Sequence, residues 1–111
     1  MTRFRIQKRS GVSQVPELTW TRQAVEDVED IKSYIRRGST RYAQLVAERI
    51  VEAAERLREF PLSGRAVPEF GRQDVREVLW GNYRIIHRVV GDSVFILTVH
   101  HGARLLRIPG E

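Results

Sequence analysis

Residues 75–79, 83–90 and 94–101 are three runs rich in β-branched and aromatic side chains, separated by Gly81-Asn82 and Gly91-Asp92. Those dipeptides favour left-handed backbone at the tip of a hairpin, so the runs read as three consecutive antiparallel strands. A meander of this kind has an apolar face and nothing of its own to cover it. With 111 residues in all, the preceding half of the chain has to supply the cover.

That half carries two helical periods. Ala24, Val28, Ile31 and Ile35 recur at spacings of four, three and four, with Glu26, Asp27, Glu29 and Asp30 mostly on the opposite side, near the positive end of the helix dipole. Thr21 is placed to cap this first helix, expected over about residues 22–37, and Gly38 to end it in a left-handed conformation. Ser39 caps a second helix whose apolar stripe is Ala43, Val46, Ala47, Ile50, Ala54 and Leu57, stopped by Pro61. Its alanines permit close packing on the sheet or on the first helix. Before the helices, residues 15–20 alternate imperfectly and read as a short first strand. Residues 61–74 hold two prolines and two glycines without a periodic run and read as a crossing loop.

The expected architecture is therefore α+β in the order β-α-α-β-β-β: a helical hairpin packed on one face of a four-stranded, mainly antiparallel sheet. A single domain is expected over residues 15–108, preceded by a basic, flexible arm at 1–14. No repeat or linker divides it.

Several functions are excluded by composition. There is no cysteine, which removes thiolate metal sites, disulfides and cysteine nucleophiles. The three histidines, His87, His100 and His101, do not make a metal site by themselves, so neither metal nor cofactor is expected. No apolar stretch nears the ~20 residues that cross a bilayer, and the N-terminus lacks the apolar middle of a secretion signal, so no membrane partner and a cytoplasmic location are expected. The formal charge is +5, but Arg3, Arg5, Lys8 and Arg9 supply four of the excess positives; without them the balance is 15 to 14. The high isoelectric point is thus not a nucleic-acid signature of the domain. Gly64-Arg65 and Gly71-Arg72 lack the strand-to-helix setting of a phosphate loop, and no nucleophile elbow or metalloprotease motif is present.

What remains is the sheet. By period two, Tyr83, Ile85, His87 and Val89 share one face, and Arg84, Ile86, Arg88 and Val90 the other; Val94, Ile96, Thr98 and His100 oppose Phe95, Leu97, Val99 and His101. The end of such a sheet is able to gather Arg84, Arg104, Arg65 or Arg76 with one histidine. That cluster would stabilise a pentavalent phosphate, with the histidine moving protons near neutral pH. The other reading has the arginines pairing with Glu69, Asp74, Glu77 or chain carbonyls while the histidines close the sheet edge.

Two stretches of the chain, A-E-R-I-V-E-A-A-E-R-L-R-E-F-P-L-S-G-R-A-V-P-E-F and R-E-V-L-W-G-N-Y-R-I-I-H-R-V-V-G-D-S-V-F-I-L-T-V-H-H-G-A-R, strongly resemble the RelE/ParE superfamily of bacterial toxins over about residues 18–106. The P-x-x-G-R-x-V-P-E loop, the Y-R-I-I strand and the H-G-A-R ending look most like its ParE branch. The resemblance implies a helical hairpin on an antiparallel sheet and a toxin–antitoxin hetero-oligomer, the toxin silenced by a cognate antitoxin whose C-terminal segment wraps it. ParE-like members are associated with poisoning DNA gyrase, and RelE-like members with cutting mRNA on the ribosome. Against the RelE pattern, Arg84 matches the arginine of the Y-R strand and Arg104 that of the G-x-R ending. Val75 and Glu77, with only Arg76 close by, stand where basic residues belong, and Gly110 is near the place of a late tyrosine. A carboxylate beside a scissile phosphate repels it.

Three functions follow as expectations. The first is a non-enzymatic gyrase poison. The alternative is a metal-independent, ribosome-dependent endoribonuclease using Arg84 and Arg104 for charge and His101 or His100 for proton transfer. The third is a non-toxic member that only binds antitoxin. Tyr42, Phe70 and Trp80 are candidate apolar anchors for a partner, and Arg65, Arg76 and Arg84 candidate contacts for an acidic antitoxin segment.

Overall fold

The computed structural model describes residues 17–102. Its elements are β1 (Glu17–Trp20), α1 (Arg22–Arg36), α2 (Thr40–Glu55), β2 (Arg65–Ala66), β3 (Val75–Trp80), β4 (Tyr83–Val90) and β5 (Ser93–His101). The arm at 1–14, Val15 of the anticipated first strand, and Arg104 lie outside the described residues.

Both helices begin where their caps direct. The Thr21 hydroxyl accepts from the Ala24 N–H at 3.2 Å and donates to the Ile96 carbonyl at 2.7 Å, so one side chain starts α1 and ties that start to β5. Ser39 accepts from the Tyr42 N–H at 3.0 Å. Between them α1 ends differently from the expectation. Positive φ occurs at Gly64, Gly71, Gly81 and Gly91 and not at Gly38. Instead the N–H groups of Gly38 and Ser39 both donate to the Ile35 carbonyl, at 2.9 and 3.0 Å, and the chain turns directly into α2. α2 gives way at Arg56–Arg58 to a turn of 3-10 helix before Pro61.

The sheet has five strands in the order β1-β5-β4-β3-β2, one more than expected. β1 pairs parallel with β5, and the other neighbours are antiparallel. The additional strand is β2, inside the stretch read as a loop. Two residues are too short to show a period, so its pairing with Glu77 and Arg76 is legible only in three dimensions. Gly64 permits that pairing: its φ is +85°, and a Cβ there would collide with the Glu77 carbonyl.

A second departure lies in β5. Ile86 pairs with Thr98 and His87 with Ile96, leaving Leu97 as a bulge. The faces exchange across it, so Val99, not Thr98, joins Val94 and Ile96 in the core beneath the helices. That core also holds Leu18, Val46, Ile50, Leu57 and Ile85. On the opposite side of the sheet Val67, Val75 and Ile86 form a smaller cluster, capped by Phe70 and Leu97. The 61–74 segment therefore covers part of the second face.

Beyond the end of β1, the edge of β5 is covered by α1. Asp27 accepts from the Val99 N–H at 3.0 Å and from the Thr98 hydroxyl. An acid read as part of the solvated side of α1 thus satisfies an otherwise unpaired strand edge.

Candidate functional site

β2, β3 and β4 carry Arg65, Glu77 and Arg84 onto the same face, and the 67–70 turn brings Glu69 above them. Glu77 is 1% exposed. One of its carboxylate oxygens accepts from Arg65 Nε and the other from Arg84 Nε, each at 2.6 Å. The outer edge of the Arg84 guanidinium donates to both oxygens of Glu69, at 3.0 and 3.1 Å. This is the two-pronged geometry in which an arginine holds a carboxylate most strongly. The hydrogen bond from Arg84 keeps Glu69 ionised below the usual carboxylate range, opposed by partial burial. The Glu69 and Glu77 bonds hold the Arg84 proton more tightly still. Two guanidinium groups thus face two carboxylates, and the cluster is neutral.

The cluster forms one wall of a cleft of about 540 Å³, closed at its far end by Asn82 and His101. The His101 ring meets the Tyr83 ring edge-on at 5.4 Å between centroids. His100 stands opposite Arg84 in the β4–β5 register. Leu79, 63% exposed, gives the cleft an apolar lip.

Of the residues read from the sequence, the structure gathers Arg65, Arg84 and His101 at this cleft. Arg76 is placed elsewhere. It sits opposite His87 in the β3–β4 register, on the helix side, where its guanidinium donates to the Gly64 carbonyl at 3.1 Å. His87 is buried with Nε2 at 2.9 Å from the Pro61 carbonyl. Its Nδ1 has no hydrogen-bond partner among the described residues, and burial pushes its pKa down. Arg72 and Arg88 both donate to Asp74, whose carboxyl is held at about 2 chiefly by the Arg72 hydrogen bond.

The candidate anchors are scattered. Trp80 stacks on Tyr83 with centroids 6.5 Å apart, partly buried against the main core. Phe70 packs on the small second cluster. Tyr42 is 54% exposed near the start of α2, on the same end of the hairpin as Tyr34, 70% exposed at the end of α1. Sequence reasoning missed two determinants of the site. Glu69 was read as one of several possible partners, without the doubly bonded lid position it takes. Val67, fully buried, anchors the turn that puts it there, and a lone valine between arginine and proline gives no periodic signal.

The family model described as "ParE toxin of type II toxin-antitoxin system, parDE" matches residues 18–106. Toxin RelE2 of Caulobacter vibrioides is 33% identical over 90 residues, covering 80% of this chain and 98% of that protein. Among solved structures, the chromosomal ParDE system of P. aeruginosa has a chain with a TM-score of 0.66 at 25% identity, covering 80% of this chain and 98% of its own. The RelBE2 toxin–antitoxin complex of Mycobacterium tuberculosis gives a TM-score of 0.58 at 21% identity, over 78% of this chain and 98% of its own, and so shares the fold. The helical hairpin, the mixed sheet and the match along nearly all the described residues lead to one conclusion: the chain belongs to the ParE toxin family of type II toxin–antitoxin systems.

Proposed function

We propose that this chain is held by a cognate antitoxin and acts as a non-enzymatic poison of DNA gyrase. The observation that carries the second half is the occupancy of Arg84. A nuclease of this size must leave guanidinium groups open to the extra negative charge of a phosphoryl transition state. Here Arg84 is engaged by Glu77 and Glu69 together, and an incoming phosphate has to displace one carboxylate while lying within a few ångströms of a second, buried one. A docking protein has no such requirement. The antitoxin half is supported by the family match and by structural neighbours that are toxin–antitoxin systems.

The test is a supercoiling assay with purified gyrase and a molar excess of the chain. The proposal predicts loss of supercoiling, reversed by the antitoxin. Full supercoiling at excess toxin contradicts it.

The endoribonuclease reading keeps one observation in its favour: Arg65, Arg84 and His101 line a common cleft. It predicts mRNA cuts in a reconstituted translation reaction, lost in His101→Ala, a change that leaves both carboxylates paired. Intact message removes it.

A further inference from the structure

On the other side of the molecule, α1 and α2 enclose a groove of about 560 Å³. Its floor is apolar, formed by Trp20, Val25, Val28, Ala47 and Val51, and its rim carries Glu29, Glu48, Glu52 and Glu55 against a single cation, Lys32. We propose that this groove seats the chain's own basic N-terminal segment, residues 3–9.

Three observations point to that occupant. The first is charge. The rim has four carboxylates to one ammonium, and four of the five excess positive charges of the chain are Arg3, Arg5, Lys8 and Arg9. The rim acids are only lightly engaged. Glu48 accepts from the uncharged Gln44 amide at 3.0 Å, and Glu52 and Glu29 meet Arg49 and Lys32 at 3.4 and 4.0 Å. Exposed pairs of that kind are weak and exchange readily for better-placed partners. Glu55 is held more closely, by Arg58 at 2.7 Å.

The second is pattern. In R-F-R-I-Q-K-R, laid extended along the groove, Phe4 and Ile6 turn to one side and Arg3 and Arg5 to the other, matching an apolar floor and an acidic rim.

The third is reach. Trp20, at the head of the groove, ends the strand that residue 17 begins, about 10 Å away. From Gln44 to Glu55 the groove runs about 16 Å along α2. Residues 9 to 17 extended span about 26 Å, enough to return the basic run along its length. Trp20 also has an indole N–H that finds no acceptor among the described residues, which a carbonyl of the returning segment is able to supply.

The absence of native cysteine makes the test direct. A nitroxide on Ser10→Cys in the full chain, read by amide NMR, is expected to broaden Val25, Glu29, Glu48 and Glu52 most strongly and to spare the β3–β4 turn. Adding Glu48→Lys and Glu52→Lys, both at exposed positions, should restore those signals while circular dichroism stays unchanged. Broadening spread evenly, or centred on another surface, overturns the proposal. So does broadening at the groove that survives the charge reversal. Neither result bears on gyrase, so the two proposals fail separately.

Discussion

At the residue scale, the decisive quantity is what remains when one member of a buried ionic cluster is removed. Glu77 is fully enclosed and depends on Arg65 and Arg84 for its compensation. Arg84→Ala should therefore lower folding stability by about 3 kcal/mol, the usual cost of stranding a buried charge. Arg88→Ala, on exposed Asp74, should cost less than about 1 kcal/mol. Urea denaturation of the two variants measures the contrast, and equal small losses would show that Glu77 is not compensated as described. The same reasoning warns that an inactive Arg84→Ala protein says little about chemistry until its stability is known. His87 makes a pH prediction. Its folded-state pKa lies below the ordinary 6.5 because burial disfavours the imidazolium, with Arg76 opposing the charge as well. The unfolded chain then binds the proton more readily. Stability is intact above about pH 6.5 and declines as pH falls below it. Thermal melts at pH 7.5 and 5.5 should show a drop that His87→Gln reduces, because the amide is able to donate to the Pro61 carbonyl and does not titrate.

At the scale of elements, two short-range devices hold the architecture. Asp27 pins α1 to the uncovered edge of β5, and Asp27→Ala strands the buried Val99 N–H. A loss of about 1 to 3 kcal/mol is expected, measured by chemical denaturation. Gly64→Ala forces a side chain into left-handed backbone against the Glu77 carbonyl. It should destabilise by about 1 to 3 kcal/mol and expose β2 and β3 amides to hydrogen exchange. Helices, caps and hairpins were legible because each is written locally. Thr21 and Ser39 precede their apolar stripes, and Gly81 and Gly91 open the two tight turns with positive φ. β2, the Leu97 bulge and the Asp27 contact were not, since each depends on a neighbour far along the chain. The site was half legible. Arginines facing acids was one of two readings open from residue types alone, and only the turn over Val67 decides which acid closes on Arg84.

At the scale of the whole molecule, the structure separates two surfaces. One face of the sheet carries a charge-neutral cleft, and the helical hairpin carries an acidic groove and exposed tyrosines at its tip. Surfaces of this kind suit docking, since none concentrates open cationic groups on a reacting phosphate. The most direct check on that reading is the amount of linear, protein-linked plasmid recovered after denaturing a reaction of gyrase, ATP and the purified chain. The account predicts that linear DNA rises with toxin concentration and disappears when the antitoxin is added first. Linear DNA unchanged across the titration, with the chain shown to be folded in the same tube, would contradict it.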